Sequence, residues 1–386
     1  MVLQIGIGFN LFFPLVLLIF SKLRKKNNSK TDEDISPDYA VIVTAYEETN
    51  HIPYVVQSIL EQDYQKFIIY VVADKCDTRN LIFDDSRVVI LRPDKTIGSN
   101  TGSHWYAVNH FKRNHTHLTI IDSDNIVHPH YLTSLNKYFN KGFKAVQGIR
   151  AAKNLNSTYA CLDAARDIYY HFYDGEILFN AGSSSTLSGS GMAFTCNLYQ
   201  KFLSENKVKG AGFDKVLQAY IINQNLRIAF NVEAIVYDEK TTNSDQLVKQ
   251  RSRWINTWFK YFKFGFSILF KGMKNLSINQ FIFGLVLLRP PLFIFLLLSV
   301  LCLIINLTLG FSVIFWILGF ACFILGFFIA LLLSETDKKI YQSLINIPKF
   351  IFFQILSLIK VRKANKISVA TKHEHILKSE IIRDKH

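Results

Sequence analysis

The sequence predicts an α/β domain with a mostly parallel sheet, joined to transmembrane and interfacial α-helices. Three observations carry this expectation. Between residues 37 and 243 short β-rich runs alternate with longer helical ones. Long runs with almost no charge flank that region on both sides. The composition is apolar throughout: 49% hydrophobic with 33 Phe and 17 Tyr, and only 19% charged. A mean hydropathy of +0.17 over 386 residues excludes a disordered chain and argues against an ordinary soluble protein.

The first element is a membrane anchor at residues 1–22. Residues 2–20 are uncharged, span a bilayer at about 1.5 Å per residue, and precede Lys22, Arg24, Lys25, Lys26 and Lys30. A cleavable signal carries its positive charge before the apolar core, so this order predicts a retained helix whose C-terminal end is cytosolic. Residues 244–280 are expected to form amphipathic interfacial helices. The run 282–333 holds a single charge, Arg289, and is twice the length of one crossing. A helical hairpin over 281–334, turning at 306–310, is the expected form, and it returns the basic tail 362–386 to the cytosol. Residues 340–361 read as an interfacial helix, with a third C-terminal membrane helix as the alternative. The five cysteines are widely spaced and indicate neither a disulfide framework nor a zinc site, which suits a reducing cytosol.

Within residues 37–243 the expected strands are 39–44, 67–73, 87–91, 117–121 and 144–149, separated by helical stretches such as 52–62 and 103–113. In an open parallel sheet the ligand lies beyond the carboxyl ends of the strands. Polar residues respect that rule: Thr44, Ala45, Tyr46, Glu47 and Glu48 follow the first strand, Asp74 the second, and Asp122-Ser123-Asp124 the fourth. Two carboxylates two residues apart share one side of an extended chain and suit a hard divalent cation on a diphosphate, although Asp and Ser also favour any turn. Asp74 and Asp214 suit helix N-caps as well as sites. Gly189-Ser190-Gly191 lets backbone approach a ligand or forms a tight turn. In Gln250-Arg251-Ser252-Arg253-Trp254 one helix face offers an amide, a guanidinium and an indole, which suits phosphate and sugar or a membrane-interface anchor.

The ordered set Val41-Ile42-Val43-Thr44-Ala45-Tyr46-Glu47-Glu48, Ala73-Asp74, Asp122-Ser123-Asp124, Gly189-Ser190-Gly191, Gly212-Phe213-Asp214 and Gln250-x-x-Arg253-Trp254 resembles the family-two membrane glycosyltransferases. It is similar to the processive cellulose, chitin and hyaluronan synthases and their smaller bacterial relatives. The resemblance implies a GT-A nucleotide-sugar-binding domain and a β-linked product made with inversion. It implies donor contacts from Thr44, Ala45, Tyr46, Glu48, Asp74, Asp122, Gln250 and Arg253, and Mg²⁺ or Mn²⁺ on Asp124. Asp214 would be the base. Trp254, Gly189, Ser190 and Gly191 would face the acceptor, and Thr371 resembles a tail motif that returns to the site. The chain departs from the pattern at Phe213, where the family often has Glu, at Glu47, where Asn is usual, and at Gly102-Ser103-His104, where a Gly-Lys pair is usual.

The resulting expectation is an inverting, metal-dependent enzyme of the inner membrane with a cytosolic catalytic domain. It would move a sugar from a UDP-sugar to a growing polysaccharide or oligosaccharide. Transfer of one sugar to a lipid acceptor, polyprenyl phosphate or ceramide-like, and an inactive sugar-nucleotide-binding scaffold are the alternatives. The charge balance, 44 Lys and Arg against 30 Asp and Glu, allows nucleic acid. Its clustering at membrane ends argues against that partner.

Overall fold

The structure, a computed structural model, describes residues 2–24, 35–208 and 210–359. Thr371 and the basic tail 362–386 lie outside the described residues. The described residues divide into two compact units, one from residues 35–154 and 186–240, the other from 2–24, 155–185 and 241–359.

The first unit is an α/β domain around one sheet. Its strands are β1 (Tyr39–Tyr46), β2 (Phe67–Asp74), β3 (Val88–Leu91), β4 (His117–Asp122), β5 (Ile126–Val127), β6 (Ala145–Ala152), β7 (Met192–Thr195) and β8 (Ile228–Asp238). They run in the order β3-β2-β1-β4-β7-β6-β8-β5. β1, β2, β3 and β4 are mutually parallel, as are β6 and β8, while β7 and β5 run antiparallel to their neighbours. The parallel strands are covered on both faces, which is why they read as unbroken apolar runs: Val41, Ile42, Val43, Ile69, Val71, Ile120 and Ile121 are all buried. β1 and β2 extend beyond the predicted ends, so Ala45, Tyr46 and Asp74 are strand residues. The helix expected at 103–113 occupies Asn100–Asn109, started three residues earlier by Ser99, whose hydroxyl accepts the Gly102 N–H.

The second unit is helical. The N-terminal helix Val2–Leu23 packs against Ile314–Leu333, where Leu11 and Phe12 close on Gly319. Leu162, Leu247 and Phe350 form a buried cluster between the helices Thr158–Tyr170, Ser244–Tyr261 and Ile347–Ile359. The apolar run 282–333 holds two helices, Leu292–Thr308 and Ile314–Leu333, broken beside the expected turn at 306–310, but it begins inside a further helix. Ile278–Leu288 and Leu292–Thr308 meet at a 71° bend, because Pro290 and Pro291 remove two backbone donors at the break. Arg289, at the bend, is buried and ion-paired with Asp174, which sits in the π-helical stretch His171–Ile177. Among the described residues three helices are long and apolar enough to cross a membrane, Leu3–Leu23, Ile314–Leu333 and Lys338–Ile359, or four if the bent pair is one span.

Two buried histidines of the α/β unit make its stability pH-dependent. Burial lowers His104 to about 3 and His117 to about 4. The unfolded chain takes up protons on both near pH 6.5, whereas the folded chain resists protonation until far lower. Their contribution is therefore complete above pH 6.5 and lost as pH falls toward the folded values, by roughly 1.4 kcal/mol from each at pH 5.5. Thermal melting in detergent is expected to show a midpoint several degrees lower at pH 5.5 than at pH 7.5, with part of that change abolished in His117→Asn; His115, also lowered by burial, contributes in the same direction.

Candidate active site

The α/β unit brings three chain segments to one rim by strand register. Thr44 of β1 lies level with Val72 of β2 and with Asp122 of β4, and Tyr46 lies level with Asp74. Beyond β1, Glu48 accepts the N–H groups of Thr49 and Asn50 at 3.0 and 3.1 Å and turns the chain toward the helix Ile52–Leu60. Glu47 and Lys75 stand just past the ends of β1 and β2 with φ of 62° and 56°, in the left-handed region that non-glycine residues avoid. They are joined by a 2.6 Å ion pair, and the Glu47 N–H donates to the Asp74 carbonyl at 3.2 Å. Asp74 itself is 1% exposed, and its two carboxylate oxygens accept the N–H groups of Ile97 and Gly98 at 2.9 and 2.7 Å. Its carboxylate thus shapes the loop ahead of Asn100–Asn109.

The Asp122-Ser123-Asp124 turn is held by Ser190. The buried Ser190 hydroxyl accepts the Asp122 N–H at 3.0 Å and the Asn125 amide at 2.7 Å. The Gly191 N–H donates to the Ile120 carbonyl, and the Gly148 N–H to the Gly191 carbonyl, both at 2.9 Å. Gly191 has φ of 65°, and a Cβ there would lie 3.0 Å from Val236, so this close approach requires glycine. Asp124 is 6% exposed. Asp122 and Asp124 offer the carboxylates a hard divalent cation prefers. Since no third His, Cys, Asp or Glu groups with them among the described residues, water and diphosphate oxygens would complete the shell.

Asp214 opens the helix Phe213–Asn223 behind Gly212, whose φ of 94° allows the sharp entry. Its carboxylate pairs with Lys215 at 3.2 Å, and the Lys215 ammonium also donates to the Leu187 carbonyl at 3.0 Å. This links Asp214 to the loop that carries Gly189, Ser190 and Gly191. Phe213, in place of the carboxylate usual in the resemblance, is buried edge-on against His104 at 5.3 Å between centroids. The His104 Nδ1 hydrogen-bonds the Tyr199 hydroxyl at 2.7 Å.

Gln250, Arg253 and Trp254 belong to the helical unit, on Ser244–Tyr261. Gln250 accepts the Thr241 hydroxyl at 3.2 Å. The Trp254 indole, 37% exposed, has the guanidinium groups of Arg166 and Arg251 each 4.3 Å from its ring centroid. Both arginines bond Asp163.

Charged residues at the ends of β6 and β8 escaped the sequence reading. Arg150 and Lys240 pair with the two oxygens of Asp238 at 2.8 and 3.0 Å. Lys153, 8% exposed, donates its ammonium to the Asp124 carbonyl at 3.1 Å. Burial lowers its pKa from the ordinary lysine value, and Asp124, Glu239 and Asp238 oppose that shift. The signal was a cluster of cations after an apolar run, Arg150 and Lys153, where the rim rule already placed ligand groups.

A Glycosyltransferase like family 2 model matches residues 37–257. The chain belongs to glycosyltransferase family 2. Among solved structures it is similar to the mannosyltransferase PcManGT from Pyrobaculum calidifontis in complex with GDP-Man and Mn²⁺. The TM-score is 0.57 at 15% identity, over 93% of this chain and 98% of that one, a shared GT-A fold. S. aureus TarS 1–349 in complex with UDP-GlcNAc aligns with a TM-score of 0.42 at 13% identity, over 84% and 89% of the two chains. No curated protein sequence matches. This family 2 glycosyltransferase is an enzyme of the nucleotide-sugar-dependent class.

Removing the Ser190 hydroxyl takes the acceptor from the buried Asn125 amide and from the half-buried Asp122 N–H at the acidic turn. Ser190→Ala is expected to destabilise the enzyme by about 2 kcal/mol. Ser188→Ala, which loses one 3.5 Å contact, stays within about 0.5 kcal/mol. Thermal melting of both variants in detergent checks the difference.

Proposed function

We propose that this chain is an inverting, metal-dependent membrane glycosyltransferase. It moves a sugar from a UDP-sugar to a growing polysaccharide or oligosaccharide at the cytosolic face of the inner membrane. The observation that carries the reading is the pairing of two features within one unit. The acidic turn Asp122 to Asp124 is locked by Ser190, and Asp214 is tied through Lys215 to the same 187–191 loop.

Asp214 accepts the proton of the acceptor hydroxyl as that oxygen bonds to the anomeric carbon from the face opposite the departing nucleotide. The anomeric C–O bond breaks, and its electron pair goes to the diphosphate. Asp124 would hold a divalent metal, with Asp122 on the nucleotide side, and when bound the metal would supply Lewis-acid stabilisation of the leaving diphosphate. Asp74 shapes the base-binding side through the 97–98 loop, beside Thr44, Ala45, Tyr46 and Glu48. Ser190 is buried, so any acceptor contact from residues 189–191 falls to their backbone. Gln250 and Arg253 toward the diphosphate, and Trp254 toward the acceptor sugar, rest on the sequence motif.

Membrane location is supported by the three apolar helices of spanning length. Cytosolic orientation is supported by Lys22 and Arg24 at the end of the first. A lipid acceptor is the second reading, favoured by the three or four spanning helices among the described residues, which provide little material for a translocation channel.

The test is release of nucleoside diphosphate by detergent-purified enzyme from UDP-glucose, UDP-N-acetylglucosamine, UDP-galactose, UDP-glucuronate and GDP-mannose, with Mn²⁺ or EDTA. One UDP-sugar is expected to turn over, EDTA to abolish release, and Asp214→Asn to lower turnover by about 10³-fold with nucleotide affinity little changed. Turnover of GDP-mannose alone would replace the donor assignment. Undiminished turnover in Asp214→Asn would remove the base.

A further inference from the structure

Lys153 is buried at the end of the β6 segment, and among the described residues its ammonium has one hydrogen-bond acceptor, the main-chain carbonyl of Asp124. The neighbouring carboxylate of Asp238 is occupied on both oxygens, by Arg150 and Lys240. A buried ammonium is costly unless it faces negative charge, which the carboxylates of Asp124, Glu239 and Asp238 supply here. This one is anchored on the residue that presents the metal-binding carboxylate, with two of its three donors still to be directed. The Gly102-Ser103-His104 segment meanwhile carries a neutral imidazole, since burial holds His104 at about 3.

We propose that Lys153 is a donor-site cation that binds the diphosphate beside Asp124 and holds the charge released when the sugar departs. This assignment rests on the donor-site reading above. A nucleotide sugar carries two diphosphate charges. When the anomeric C–O bond breaks, its electron pair stays on the terminal diphosphate oxygen and adds a third charge, while the acceptor proton passes to Asp214. A fixed ammonium therefore binds the departing nucleoside diphosphate more strongly than the donor, which is the differential stabilisation that accelerates the step.

The test is equilibrium titration of the full chain in detergent with UDP, GDP, uridine and guanosine, with Mn²⁺ and with EDTA. Lys153→Gln is expected to weaken nucleoside diphosphate binding about tenfold, with nucleoside binding unchanged and Lys153→Arg recovering most of the loss. Diphosphate affinity in Lys153→Gln equal to wild type overturns the assignment alone. Failure of the wild type to bind either diphosphate overturns the donor-site reading and this assignment with it. Should Lys153→Gln fail to fold, acetylation of Lys153 in the wild-type protein, read by mass spectrometry, decides the matter. The nucleoside diphosphate is expected to slow it at least about fivefold and the nucleoside not at all; equal rates in both overturn the assignment.

Discussion

Strand β1 is hydrogen-bonded in register on both edges by parallel partners, and that double pairing sets where every polar group of the rim can stand. Because Thr44 is level with Asp122 and Tyr46 with Asp74, the chain must leave all three strands at the same height. Residues 78 positions apart in sequence, Thr44 and Asp122, then share one surface. Side chains alternate between faces along a strand, so slipping β1 by one residue would send buried Val41 and Val43 to the opposite face. The in-register ladders on both edges of β1 thereby fix the positions of the carboxylates.

A second constraint sharpens that rim. β7 enters the sheet antiparallel between β4 and β6, so residues 188–191 arrive beside the acidic turn from the opposite direction. Ser190 can then accept from both Asp122 and Asn125, which ties two separate chain passes together through one hydroxyl. The charged ends of β6 and β8 lie on the far side of this insertion, where Lys153 meets the main chain of Asp124. Acidic turn, Ser-Gly loop and cations thus form one hydrogen-bonded assembly within a single unit, and each part holds the next.

Much of this was legible in the sequence, and the failures have physical causes. Continuous apolar runs marked β1, β2 and β4, since a strand buried on both faces has no polar alternation to confuse with a helix. The Asp-Ser-Asp turn and Asp214 were legible because they directly follow or precede such elements. The fate of Asp74 was not, because its partners Ile97 and Gly98 are backbone groups of a loop with no distinctive residues. Ser190 suggested a ligand-facing loop, and its burial follows from sheet order, which no local spacing encodes. Pro290 and Pro291 lay within an apolar run whose length suggested two straight helices; the missing backbone donors bend it by 71°. Lys153 was passed over because cations after a strand usually stay solvated.

The central claim is that the nucleotide lies at the carboxyl rim of β1, β2, β4 and β6. Hydrogen exchange of the full chain in detergent, with and without UDP or GDP and Mn²⁺, tests it most directly. The account predicts slowed exchange at residues 44–49, 97–98, 122–125 and 188–191, with the opposite edges of the same strands unaffected. Nucleotide binding that leaves these four segments unprotected while slowing exchange elsewhere would contradict it.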